Sequence, residues 1–260
     1  MILSKKRHEQ KNEIEYLYHY TSIETLALIL KTRKFKFNRL DNVNDPLDGI
    51  TEDFPDSKKI VYAACFTARD DDSIPMWSIY TKNMNGIRIK FHWSLFGSLQ
   101  KNLFSGQWSK EINGNPFNEE ESLLINGPTR INYLKSSEEI KCKTIIEHKN
   151  GISEFYPFRI GENKIKDWIF EDEVRFRVFS FNAVVFGREM NHLTFKMSQI
   201  DDYVRDDIPY LLLDLDEKAF DEVEILLGPK TNEAHKITVK ALIEKYAPKA
   251  VIKKSEKRVK

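Results

Sequence analysis

Cysteine is nearly absent: Cys65 and Cys142 are the only two. Two unclustered thiols provide neither a disulfide framework nor a thiolate zinc site. Cys65 sits in the apolar run Val61-Tyr62-Ala63-Ala64-Cys65-Phe66 and reads as a small core residue. Net charge is lacking too, since 41 Lys and Arg stand against 40 Asp and Glu. No field of one sign steers this chain onto nucleic acid or membrane. The basic residues that do cluster, Lys5-Lys6-Arg7 and Lys253-Lys254 onward, read as solvated ends. No apolar run is long enough to span a bilayer. The charged N-terminus has no apolar stretch behind it, so no signal peptide is expected and the cytoplasm is the default. Also missing are a Gly-rich phosphate loop, a GxGxxG turn, a His pair at zinc spacing and a GxSxG elbow. No repeat and no Pro- or Ser-rich linker divides the chain, which favours one domain.

What is present is an ordinary globular balance, 41% hydrophobic and 31% charged, long enough at 260 residues to bury a sizeable core. Seventeen Phe and ten Tyr supply ring surface for a sheet core or for a pocket taking a flat ligand. Residues 1–13 read as a mobile polar tail. Residues 14–255 read as a single α+β domain with an irregular insertion around 97–128.

Tyr16 to Tyr20 has the aromatic content of a strand. Thr21 and Glu24 form a capping box before a helix with Ile23, Leu26, Ala27 and Leu30 on one face. Lys34 to Phe37 alternates as a strand, and residues 60–67 have the continuous apolar run of a buried central one. Pro75 to Tyr80 reads as a short helix with proline in its first turn. Ile87, Ile89 and Phe91 alternate as a half-buried strand, and Ile131 to Leu134 reads as a further one. Ser136 and Glu139 open a helix to about His148. In Glu173 to Phe179, Val174, Phe176 and Val178 point one way while Glu173, Arg175 and Arg177 point the other. Pro209 to Leu215 and Val223 to Leu227 are further strands. A helix from Asn232 to Tyr246 and a last strand at Ala250 to Ile252 follow. Strands and helices are interspersed without a βαβ repeat, so the expected class is α+β.

Three constellations could carry chemistry. His19-Tyr20-Thr21 stands before a helix N-terminus, whose free N–H groups can hold an anion while His19 donates to a ribose hydroxyl. A His–Tyr pair packed at a core edge fits the same residues. Glu171, Glu173, Arg175 and Arg177 could form a carboxylate held by bidentate arginine, or a solvated ion network on a sheet face. Acid–base roles need distances. Trp77 and Tyr80 share a helix face and could wall an aromatic ring, or pack in the core. Glu171-Asp172-Glu173 as a metal nuclease site is disfavoured by the neighbouring arginines, and no metal is expected.

In order, Leu17-Tyr18-His19-Tyr20-Thr21, Asn44-Asp45-Pro46, Cys65-Phe66-Thr67, Met76-Trp77-Ser78-Ile79-Tyr80, Gly86 and Trp168-x-x-Glu171-x-Glu173-x-Arg175 resemble the bacterial family catalogued as domain of unknown function 2971 (DUF2971). The late Val223 to Pro229 stretch and its helix also look like that family's ending. The HYT start and late strand glutamate are in turn similar to ADP-ribosyltransferases, including toxins. That resemblance implies a mixed, split antiparallel β-sheet flanked by helices, around a cleft for NAD, which is a substrate. It implies His19 on the adenosine-side ribose with Tyr20 and Thr21 beside it. Trp77 or Tyr80 would lie against nicotinamide, and Glu173, or else Glu171, would be the catalytic carboxylate steadied by Arg175. The function so implied is ADP-ribosyl transfer by a toxin or phage-defence effector. An NAD glycohydrolase and a non-catalytic nucleotide-binding or sensor module are the alternatives. The macromolecular acceptor, nucleic acid or protein, is left open, and no membrane partner is expected.

Overall fold

The computed structural model describes residues 14–97, 111–112, 115–116, 121–147, 153–182, 193–195 and 208–259. The expected tail at 1–13 and much of the expected insertion lie outside them. In chain order the elements are β1 (Tyr16–Thr21), α1 (Ile23–Thr32), β2 (Lys34–Arg39), β3 (Val61–Thr67), α2 (Ile74–Tyr80) and β4 (Ile87–His92). Then come β5 (Glu111–Ile112), β6 (Asn115–Pro116), β7 (Glu121–Arg130), β8 (Asn132–Leu134), α3 (Ser137–Ile140), β9 (Ile145–Glu147) and β10 (Ser153–Phe155). The rest are β11 (Asn163–Ile165), β12 (Glu173–Asn182), β13 (Leu193–Phe195), β14 (Tyr210–Asp214), β15 (Glu224–Leu227), α4 (Glu233–Tyr246) and β16 (Val251–Lys254). The class is α+β, with a mixed and largely antiparallel sheet.

The main sheet runs β14-β2-β3-β1-β4-β15-β16, with β12 against β3 and β7 against β12. β3 is where it forks. One edge of β3 pairs with β12 from Val61 to Thr67. The other edge meets β2 only at Tyr62 and Ala63, and β1 only at Thr67. β1 and β2 therefore part company along the middle of β3.

Alternation sorts the side chains onto two unlike faces. One face carries Leu17, Phe35, Phe37, Phe66, Ile89, Phe91, Phe176 and Leu211, all at most 3% exposed, in one large core. α1 covers it with Leu26, Ile29 and Leu30, and α4 with Val239 and Ile243. The opposite face has two smaller apolar clusters, one around Leu40, Phe54, Phe155 and Phe179, the other around Tyr20, Met76, Trp77 and Leu226. Between them β3 and β12 present Cys65, Thr67, Glu173, Arg175 and Arg177.

Three local expectations need correction. The cap of α1 is Ser22, whose side chain accepts from the Thr25 amide, because Thr21 is still paired with Ile87 in β1. Ser136 caps α3 as expected, but the helix ends at Ile140 rather than near His148. Asp53 takes the amides of Thr144 and Ile145 at 2.7–2.9 Å, so those donors never turn back to carbonyls four residues earlier. The end of the expected irregular insertion is a ten-residue strand, β7, paired with β12.

Candidate functional site

The polar middle of the second face is built by five separate stretches. β12 contributes Glu173 and Arg175 by alternation. β11 contributes Lys164, and the loop after Pro46 contributes Asp48. A 3₁₀ turn over Lys166–Glu171 ends at Asp172 with φ 40°, a left-handed residue that turns the chain into β12 and leaves Glu171 facing the same cluster. From α2, Tyr80 reaches across to Glu171.

Arg175 is the hub. Its Nη1 donates to Asp48 Oδ1 at 2.8 Å and to the Gly161 carbonyl at 3.3 Å. Nη2 donates to Asp48 Oδ2 and, at 3.0 Å, to Glu173 Oε2, while Nε donates to Glu173 Oε1. Lys164 Nζ lies 2.7 Å from Glu171 Oε2, 2.8 Å from Glu173 Oε2 and 4.0 Å from Asp48 Oδ2. The Tyr80 hydroxyl donates to Glu171 Oε1. The Glu173 amide donates to the Tyr133 hydroxyl at 2.9 Å. Arg177, one step further along, donates to the carbonyls of Phe158 and Ile160 at 2.8 and 2.7 Å.

The side chains are buried, not solvated: Asp48 0%, Glu171 3%, Glu173 4%, Arg175 1% and Lys164 5% exposed. Three carboxyls therefore share two cations where water screens little. The two glutamates respond in opposite directions. Burial pushes Glu173 up, but the Arg175 and Lys164 charges and the hydrogen bonds from Arg175 and the Cys65 thiol outweigh it and hold the carboxyl well below its usual range. Burial also pushes Glu171 up, the Glu173 charge adds to that, and Lys164 and Tyr80 offset it only in part. Burial works against the Lys164 ammonium, yet Glu173, Asp48 and Glu171 raise its pKa. Burial and the Glu171 charge raise the Tyr80 phenol. The same network thus holds Glu173 as an anion and leaves Glu171 with a higher proton affinity than an ordinary glutamate.

Of the residues singled out in the sequence, Glu171, Glu173, Arg175 and Tyr80 meet here. His19 does not join them. It alternates with Tyr18 and Tyr20, so its ring enters the large core, 4.8 Å from Phe35 and 5.6 Å from Phe66. Its Nδ1 lies 2.9 Å from the Cys65 carbonyl and must donate to it. That carbonyl lies in the stretch of β3 that neither β1 nor β2 pairs on that edge, so His19 satisfies a backbone group which the fork leaves without a ladder partner. Burial lowers its pKa to about 4, fixing a neutral ring. β3 stands between His19 and the carboxylates.

Thr21 is 8% exposed and held in the β1–β4 ladder. Tyr20 packs edge-on against Trp77, centroids 4.8 Å apart. Trp77 is fully buried and its Nε1 donates to Asp72 at 2.7 Å, so its ring is core rather than an open wall.

Asp48, Lys164 and Tyr133 were missed in the sequence. Each comes from a different stretch, and their pairing is non-local. The one available signal was indirect: arginines alternating in a strand whose other face is wholly apolar need counterions if both faces are covered. Among the described residues, no group of three or more His, Cys, Asp or Glu is placed to hold a metal ion, and no helix is long and apolar enough to cross a membrane.

Compared with family models, curated proteins and solved structures, the chain matches none.

Proposed function

We propose that the chain is an NAD-dependent ADP-ribosyltransferase of the cytoplasm, of the toxin or phage-defence kind, with the Glu171–Glu173 cluster as its reaction centre. One observation carries this reading: two neighbouring buried carboxyls share Lys164, while, of the two, Arg175 pairs with Glu173 alone and the Tyr80 hydroxyl with Glu171 alone, so one charge network treats them unequally. Environments that separate the pKa values of neighbouring groups are how proteins divide acid, base and charge-stabilising roles. The ordered resemblance to DUF2971, its likeness to ADP-ribosyltransferases and the forked sheet favour NAD as the substrate.

Breaking the bond between nicotinamide and ribose develops oxocarbenium character, as in glycoside cleavage. A carboxylate fixed near the ribose stabilises that charge, an effect worth several kcal/mol, on the order of 3 for a single preorganised group. Glu171, acting in its ionised form, is the better placed of the two glutamates. Tyr80 and Lys164 hold its oxygens with one bond each, and Tyr80 is only half buried. Glu173 takes two bonds from Arg175 and a contact from Lys164, so its work is to keep those two cations in place. His19, Tyr20, Thr21 and Trp77 serve structure in this reading. Tyr80 and Arg175 stay with the carboxylates.

The same centre with water as acceptor would be an NAD glycohydrolase. The saturation of Glu173 favours a third reading, a nucleotide-binding or sensor module without chemistry. Incubation with NAD labelled in its adenine ring, in the presence of cell extract, separates them. Label on protein or nucleic acid is the expected result, and free ADP-ribose alone means hydrolysis. Saturable binding of intact NAD means a module; neither binding nor turnover ends the NAD reading.

A further inference from the structure

We propose that Ser255 and Asp72 form a positioning relay which, through Trp77 and α2, sets the hydrogen bond by which Tyr80 holds Glu171. The relay starts where the β15–β16 ladder runs one residue past β16: the Ser255 amide donates to the Leu227 carbonyl at 2.9 Å, and the residue is 8% exposed. Its hydroxyl stands 2.5 Å from Asp72 Oδ2. The serine hydroxyl is the donor and the carboxylate oxygen accepts. The Lys257 amide donates back to Ser255 Oγ at 3.2 Å, and Lys257 Nζ lies 3.9 Å from Asp72 Oδ1. Two residues far apart in sequence are thereby locked in one geometry.

Asp72 Oδ2 also accepts from the Trp77 indole at 2.7 Å. The backbone of Trp77 is equally fixed: its amide donates to the Ser73 carbonyl at 2.9 Å and its carbonyl accepts from Thr81 Oγ1 at 2.6 Å. α2 has only seven residues. A helix that short does not hold itself, and tertiary anchors decide where it lies. Trp77 is its deepest anchor, and Tyr80 is one turn further on. The contact with Glu171 therefore inherits its geometry from the segment after β16. Ser255 touches no reacting group, and the relay operates whether or not the centre cleaves NAD.

The test uses the full chain labelled with ¹³C at the glutamate carboxyls. The Glu171 resonance is identified by its loss in Glu171→Gln, and its pH midpoint is followed. That carboxyl faces Tyr80, Lys164 and Glu173. The Tyr80 hydrogen bond favours the ionised form, so Tyr80→Phe raises the midpoint. Ser255→Ala is expected to raise it in the same direction, and Ser255→Thr to return it to the wild-type value. Amide exchange over Trp77 to Tyr80 should quicken about tenfold in Ser255→Ala while α4 is unchanged. If Ser255→Ala does not fold, Ser255→Cys, a near-isostere and weaker donor, is expected to shift the midpoint the same way. The proposal is overturned if the Glu171 midpoint moves in Tyr80→Phe but stays at the wild-type value in the folded Ser255 variant.

Discussion

Arg175 answers to two carboxylates and a carbonyl in a place that is 1% exposed. A methionine there would fill much of the volume and leave Asp48 and Glu173 as buried anions short of a partner. Breaking such a pair from one side costs about 3–5 kcal/mol. Arg175→Met should lose that much in urea unfolding. The half-exposed Arg130–Asp172 pair, at 3.1 Å, should cost less than about 1 kcal/mol in Arg130→Ala. Equal losses in the two variants would mean the network is wetter than its burial implies.

His19 gives a residue-scale prediction about acid. Its folded pKa, about 4, lies below its ordinary 6.5. The neutral ring's contribution is therefore complete above 6.5 and lost as pH falls through 4. Glu173 has the same sign but acts lower, from its ordinary 4.5 downward. Glu171, raised, runs the other way and gains from protonation. His19→Gln keeps an N–H for the Cys65 carbonyl and removes the titration. Its urea midpoint should fall less than wild type's between pH 6.5 and 4; parallel curves would contradict the assignment.

At the scale of elements, the pattern of β12 was readable because period-two alternation is a local property: Val174, Phe176 and Val178 do face the large core. The run at 60–67 was readable as a buried strand for the same reason. β7 was not. Its Gly127-Pro128 reads as a loop, yet Gly127 sits where the β7–β12 register shifts between Arg175 and Arg177. A glycine inside a strand often marks such a bulge. At Gly127, φ is +139° and an added Cβ would come 2.6 Å from the Arg175 carbonyl oxygen. Gly127→Ala should destabilise by more than about 1 kcal/mol. α3 is shorter than its spacing suggests because the helical pattern near Ser136 says nothing of Asp53, which diverts the following amides from a distance of 91 residues. The α1 boundary was off by one residue, and that has a consequence. Ser22→Ala should lower the melting temperature, for a loss of about 1 kcal/mol. Thr21→Val should leave the cap untouched.

For the whole molecule, the class and the strand of charged residues were legible, while the partners that make them a site were not. Asp48 and Lys164 have no spacing that ties them to Glu173; only the folding of the loop after Pro46 and of β11 onto β12 does. The same holds for His19. Its neighbours in sequence suggest a ligand donor, but the fork in the sheet gives it a carbonyl to satisfy. The proposed role of the paired carboxyls, Glu173 held as an anion and Glu171 beside it, is glycosyl chemistry on NAD. The direct measurement is nicotinamide release from NAD by the purified chain, beside Glu171→Gln whose fold is verified by its unfolding curve. Release by the wild type, reduced at least about 100-fold in the variant, is the expected result. Equal release by both proteins, or none from a folded wild type, would contradict it.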